Sequence, residues 1–294
     1  MSFTEDVAKW ITQGNVYFER GDEELDNGRT TFELAEQFYD RALSYDPTNE
    51  GALSALGVLY VSTARGPLAM KRLSRTRKEY PNALGPYRAI SMVMRISGKL
   101  EPAIHYFRGL LSEASDENKP FIHLCLAELY ASQENIIALR QELQSLSQYP
   151  PIAPITQGLL YLEENNHQGI DHLAAKMEAG TEKDTLLGMS GEAKNDWGTA
   201  GQHFFNASNH DNPTWYSLNA LAAMWLNSNE PRHCRAYLEK AEAIAPNAPE
   251  VILTKARLYQ ASEKKMEAQR LKSHLLKLKG SFGRVRRLAQ HYLR

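Results

Sequence analysis

The sequence predicts an all-α chain, a solenoid of stacked helix-turn-helix units. A small side chain recurs every 34 residues, at Ala35, Ala69 and Ala103 and again at Ala200, Cys234 and Ala268. Ala138 and Gly169 fill the interval between the two sets at slightly different spacings. A fixed period of this size marks stacked repeats rather than a globular enzyme core.

Each unit has the same internal order. Eight or nine residues before the small residue sits a bulky side chain: Tyr60, Met94, Tyr130, Tyr161, Trp225 or Tyr259. A small residue precedes most of these by two or three positions, at Gly57, Ala127, Gly158, Ala222 and Ala256. Four residues after the recurring small side chain comes another large one: Tyr39, Leu73, Phe107, Leu173, Phe204 or Leu238. Residues three and four apart share a helix face. Small residues let two helix backbones approach, and the large ones fill the space beside them. Pro47, Pro81, Pro150 and Pro246 close the second helices, because proline lacks the amide hydrogen and clashes with the preceding turn.

These stretches resemble the tetratricopeptide repeat (TPR) family. The best matches are "AEQFYDRALSYDP" (Ala35 to Pro47), "LGVLY" (Leu56 to Tyr60) with "AMKRLSRTRKEYP" (Ala69 to Pro81), "DWGTAGQHFFNA" (Asp196 to Ala207) and "CRAYLEKAEAIAP" (Cys234 to Pro246). The resemblance covers residues 8 to 278 in about eight units. It implies paired antiparallel helices wound into a right-handed superhelix.

The sequence divides accordingly. Residues 1–150 are read as four units, the first carrying an acidic insertion at 20–34 that either lengthens both helices or projects as a loop. Residues 151–279 are read as four more, with a soft boundary at Tyr149 to Pro154. Residues 280–294 are read as a basic capping helix. Leu278, Phe282, Val285, Leu288, Ala289, Tyr292 and Leu293 recur there at helical spacing. A solenoid needs such a cap over its last apolar face.

Charge is uneven along the chain. Residues 1–50 carry twelve acidic and four basic side chains, whereas residues 264–294 carry ten basic and one acidic. The expected basic surface at the C-terminal end comprises Lys272, Lys277, Lys279, Arg284, Arg286 and Arg287. An acidic first unit and a basic last one allow head-to-tail self-assembly as a homo-oligomer. Nucleic-acid binding by the basic end is a lesser reading, because Phe282 and Tyr292 there look like packing residues.

No catalytic residue, cofactor site or metal site is expected. The histidines lack the i, i+4 pair of a metal-binding helix, and no phosphate-binding glycine loop or nucleophile elbow occurs. Cys125 and Cys234 fall at apolar helix positions and read as buried free thiols. With no membrane span or signal-peptide pattern in the sequence, the expectation is a cytoplasmic protein, and the turn style leans towards bacterial members of the family.

The family resemblance implies that the first helix of each unit lines a groove for a partner peptide or helix. The candidates so placed are Asn15, Phe18, Val58, Arg88, Met92 and Arg95, then Leu159, Leu162, Met189, Tyr216, Asn219 and Arg257. The subclass that clamps chaperone tails needs lysine, asparagine and arginine at positions that here hold Ile11, Asn15, Ala55, Val58, Gly85 and Ala89; only Asn15 fits. The expected function is thus a non-catalytic protein-interaction scaffold or adaptor. The alternatives are a self-assembling scaffold or a bacterial secretion or assembly chaperone.

Overall fold

The computed structural model describes residues 3–23, 28–245, 248–277 and 283–293. They form seventeen α-helices, and no strand occurs among the described residues. Sixteen helices make eight consecutive pairs, from α1 (Phe3–Glu23) and α2 (Gly28–Tyr45) to α15 (Pro249–Ala261) and α16 (Lys265–Lys277). The seventeenth, α17 (Gly283–Tyr292), stands alone.

The first helices of the middle pairs are α3 (Glu50–Ser62), α5 (Leu84–Ile96), α7 (Lys119–Ser132), α9 (Pro154–Glu164), α11 (Thr181–Ala193) and α13 (Trp215–Asn227). Their partners are α4 (Gly66–Glu79), α6 (Leu100–Glu113), α8 (Ile136–Leu146), α10 (His167–Ala175), α12 (Trp197–Ser208) and α14 (Pro231–Ile244). The contracted middle of the repeat lies in the fifth pair, where α9 has 11 residues and α10 has 9. The extra length of the first unit lies in its helices, of 21 and 18 residues. Residues 24–27 of the acidic insertion, and Pro246, lie outside the described residues.

Backbone packing divides the chain into two compact units, Met1–Cys125 and Leu126–Arg294. The division falls inside α7, ahead of the proline-rich segment at Tyr149 to Pro154. In the first unit α3 packs on both α1 and α5, and in the second α9, α11, α13 and α15 pack in succession. Within each unit α2, α4, α10, α12 and α14 each touch both their own partner and the first helix of the next pair. Each unit therefore has a continuous layer of first helices backed by a layer of second helices.

The turns within pairs share one device. Ala64, Gly98, Glu134, Asn165, Asn195, Asn229 and Glu263 all take left-handed backbone angles, with φ between 57° and 72°. Glycine and asparagine tolerate this conformation best. The next residue often caps the second helix: Asn135, Asn166 and Asp196 accept from the amides of Ala138, Gly169 and Thr199.

The small-to-large order of the sequence is realised as direct contact. The Tyr39 ring lies on Gly14, the Tyr161 ring on Gly169 and the Phe204 ring on Gly188, so close that an added Cβ would meet each ring within 2.5 Å. Ala35, Ala69, Ala103, Ala200 and Cys234 are buried at the helix crossings. Both cysteines are free and buried, and burial pushes the Cys234 thiol up to about 11.

Candidate functional site

The first helices of the second unit carry a row of carboxylates. Glu163 and Glu192 lie in the last turns of α9 and α11 and Glu250 in the first turn of α15 (Pro249–Ala261), while Glu134 sits in the left-handed turn after α7. The Glu163 side chain is 0% exposed and that of Glu192 is 12% exposed. Unpaired carboxylates buried to this degree would be strongly destabilising.

Helix α17 supplies the countercharge. The Arg284 backbone N–H donates to both Glu163 oxygens, at 3.1 and 2.8 Å, so Glu163 caps the first turn of a helix 121 residues away. Its guanidinium donates to Glu192, which also accepts from the Tyr216 hydroxyl at 2.9 Å. Arg287 donates to Glu163 at 3.1 Å, and Arg286 donates to Glu134 at 2.8 Å and to the Ser132 carbonyl at 3.2 Å. Carboxylates thus gather at the end of α17 where the helix dipole is positive. Lys272 donates to the Leu293 carbonyl at the other end, and the Arg257 guanidinium lies 4.0 Å over the Tyr292 ring.

The apolar seam is short. Val285, Ala289 and Leu293 are buried against Ile252, Leu253 and Ala256 of α15 and Leu275 of α16. Val285 and Leu293 contribute on the order of 2 kcal/mol each by removal from water.

Burial opposes the charge of Arg284, but Tyr216, Glu192 and Glu250 more than offset it and hold the guanidinium above its usual range. Burial holds the Glu250 carboxyl above its usual range, with Glu192 and Glu163 adding to the effect and Arg284 working against it. A carboxyl raised in the folded state stabilises the fold below the ordinary carboxylate range, and that contribution is lost as pH rises through the folded value. Glu250→Gln should therefore raise the urea midpoint near neutrality and leave it unchanged below the carboxylate range. A lower midpoint near neutrality would show that Glu250 is needed as an anion.

The groove candidates divide by environment. Leu159, Leu162 and Tyr216 are buried in the layer that faces α17, and Tyr216 joins the charge cluster. Met189 is fully buried with its sulfur over Gly158, a stacking contact between α9 and α11. Asn219 is buried, and its Oδ1 has no hydrogen-bond donor among the described residues. Arg257 holds Tyr292 and donates to Asn227 at 2.6 Å. In the first unit Asn15 accepts from the Tyr39 hydroxyl at 2.9 Å, and Phe18 packs on Phe32. Arg88 pairs with Glu50 at 2.5 Å. Val58, Met92 and Arg95 are half-buried on α3 and α5.

At the basic end Arg284 and Arg286 turn onto the carboxylates, while Arg287 stays exposed and pairs with Glu163 and Glu134. Lys272 is engaged with Leu293, Lys277 ends α16, and Lys279 lies outside the described residues. The sequence reading did not pick out Glu134, Glu163, Glu192 or Glu250. Among the described residues no group of three or more His, Cys, Asp or Glu side chains is placed to hold a metal ion, and no helix is long and apolar enough to cross a membrane.

The architecture is tetratricopeptide-like. Solved structures with a similar course include the APC/C hetero-tetramer Cut9-Hcn1, at a TM-score of 0.47 and 14% identity over 90% of this chain and 53% of that one. This chain thus spans about half the length of that structure. A tetratricopeptide repeat protein from Parabacteroides merdae aligns at 0.38 and 13% identity, over 96% and 99% of the two chains. Pseudomonas aeruginosa pilF aligns at 0.32 and 16%, over 98% and 99%. Likeness at this level adds nothing on function. No protein-family model matches the sequence, and no curated protein matches it.

Proposed function

We propose that the chain is a non-catalytic interaction scaffold that binds a segment of a partner protein along its layers of first helices. The observation that supports this most is α17. The layer in the second unit holds a helix through side chains drawn from α9, α11, α13 and α15. A surface that grips one amphipathic helix in this way has the chemistry to grip another. In the first unit the equivalent layer presents Val58, Met92 and Arg95, a mixed apolar and cationic row suited to a peptide.

Self-assembly through oppositely charged ends has less support, since three arginines of the basic end are engaged within the second unit. A secretion or assembly chaperone would use the same layers and differ only in its client.

The test compares partner capture by the wild-type chain, by Val58→Glu with Met92→Glu, and by Leu68→Glu on the second-helix layer, where Leu68 is exposed. The Val58 and Met92 variant should lose about tenfold in capture, as hot-spot losses at buried anchors do, and the Leu68 variant should not. Equal capture by all three would contradict the scaffold reading for the first unit.

A further inference from the structure

We propose that the acidic row of the second unit, Glu134, Glu163 and Glu192, is a receptor for a basic amphipathic helix of a partner protein, and that α17 occupies it in cis until the partner displaces it. The inference rests on the scaffold reading and names its ligand.

Helix α17 spells out what the receptor recognises. It carries arginines at 284, 286 and 287 in its first turn, and apolar side chains at 285, 289 and 293, four residues apart. Glu163 and Glu192 meet the first turn, while Lys272 and Arg257 meet the last. The receptor therefore fixes the direction of a bound helix as well as its charge. Gly283 lies beside Glu134; an added Cβ would come 2.8 Å from the end of the Glu134 side chain, which would have to shift.

Charge complementarity also argues for exchange rather than permanent closure. A fixed cap over an apolar end is best made of apolar residues, whereas here buried carboxylates face arginines. Emptying such a row costs stability, so a cationic helix is favoured in it. Yet α17 has only 10 residues, and helices shorter than ~12–15 residues do not hold themselves in water. Its three buried apolar side chains are a modest anchor. A longer basic helix with the same spacing, already folded on a partner, has the advantage over it.

The test uses the fluorescein-labelled peptide GRVRRLAQHYLR, the sequence of residues 283–294, against the full chain. Arg284→Glu with Arg287→Glu weakens the cis helix and leaves the three carboxylates in place. The peptide should bind this variant at least about tenfold more tightly than wild type, because a tethered competitor depresses apparent affinity by the fraction of sites it occupies. Adding Glu163→Gln and Glu192→Gln should abolish the gain, and a scrambled peptide should show none. Equal affinity for wild type and the released variant, a gain that survives loss of the carboxylates, or equal binding of the scrambled peptide would overturn the proposal.

If the released variant fails to fold by circular dichroism, a dye at Gln290→Cys on an otherwise wild-type chain gives the second readout, since Gln290 is exposed. Saturating peptide should lower the dye anisotropy, and no change would overturn the proposal. Light scattering adds one more outcome: a wild-type dimer that dissociates on adding peptide would make a second copy the occupant and overturn the partner assignment. Failure of the peptide test with Val58 and Met92 still required for capture would remove this inference alone and leave the scaffold reading intact.

Discussion

Replacing Phe204 with alanine is expected to lower the stability of the second unit by about 4 kcal/mol, as full truncation of a buried ring does. Phe204 is fully buried on α12, its ring lying on Gly188 of α11 where an added Cβ would meet it at 2.5 Å. A backbone held that close leaves little slack to collapse into the cavity. The ring also packs at 6.0 Å, tilted, against Tyr216 of α13. One side chain thus joins three helices and supports the tyrosine that meets Glu192. Urea unfolding followed by circular dichroism gives the loss, and hydrogen exchange in α11 to α13 locates it. A loss below about 1 kcal/mol would show that the Gly188 contact can close without the ring.

Glu192→Ala is expected to be nearly as severe, at about 3 kcal/mol, because it strands two partners at once. Arg284, with its side chain 24% exposed, loses its carboxylate, and the buried Tyr216 hydroxyl loses its acceptor. Coupling should be measurable: Arg284→Ala added to Glu192→Ala should destabilise by less than the two single losses summed, since one contact is counted in both. The site should fail locally as well, with α17 released and trypsin gaining access at Arg284, Arg286 and Arg287. Additive losses with no change in cleavage would mean that Arg284 and Glu192 are neighbours without energetic consequence.

The repeat was legible because its signals are local and recur. The 34-residue spacing places Ala35 and Cys234 at equivalent crossings, and both are buried. A second local signal is the asparagine or glycine at 98, 165, 195 and 229, which marks the left-handed turn residue in four of the pairs. The receptor was not legible, for a physical reason. Glu134, Glu163 and Glu192 recur every 29 residues, out of step with the helical repeat, so each occupies a different place in its own unit. Taken singly they are ordinary acids near helix ends. Only a helix packed against several successive units makes them one site, and its arginines lie more than 90 residues beyond Glu192 in sequence. Periodicity identified the apolar face of α17, but it carries no information about which distant charges its polar side will meet.

The expected cap at the end of the stack illustrates the same limit. Val285, Ala289 and Leu293 do cover α15 and α16, as the need to close a solenoid dictates. The first turn of the same helix instead reaches the carboxylates of earlier repeats. Cap and bound helix are two ends of one element.

The most direct test of this account is a disulfide between the first turn of α17 and the turn after α7. Gly283→Cys and Glu134→Cys place two thiols where a Cβ on residue 283 lies 2.8 Å from the Glu134 side chain, and the native Cys125 and Cys234 are buried out of reach. Mild oxidation followed by peptide mapping should give an intramolecular bridge between residues 134 and 283 in a monomeric chain. Chains that stay folded yet form no such bridge, or form it only between molecules, would contradict the docking of α17 on its own second unit.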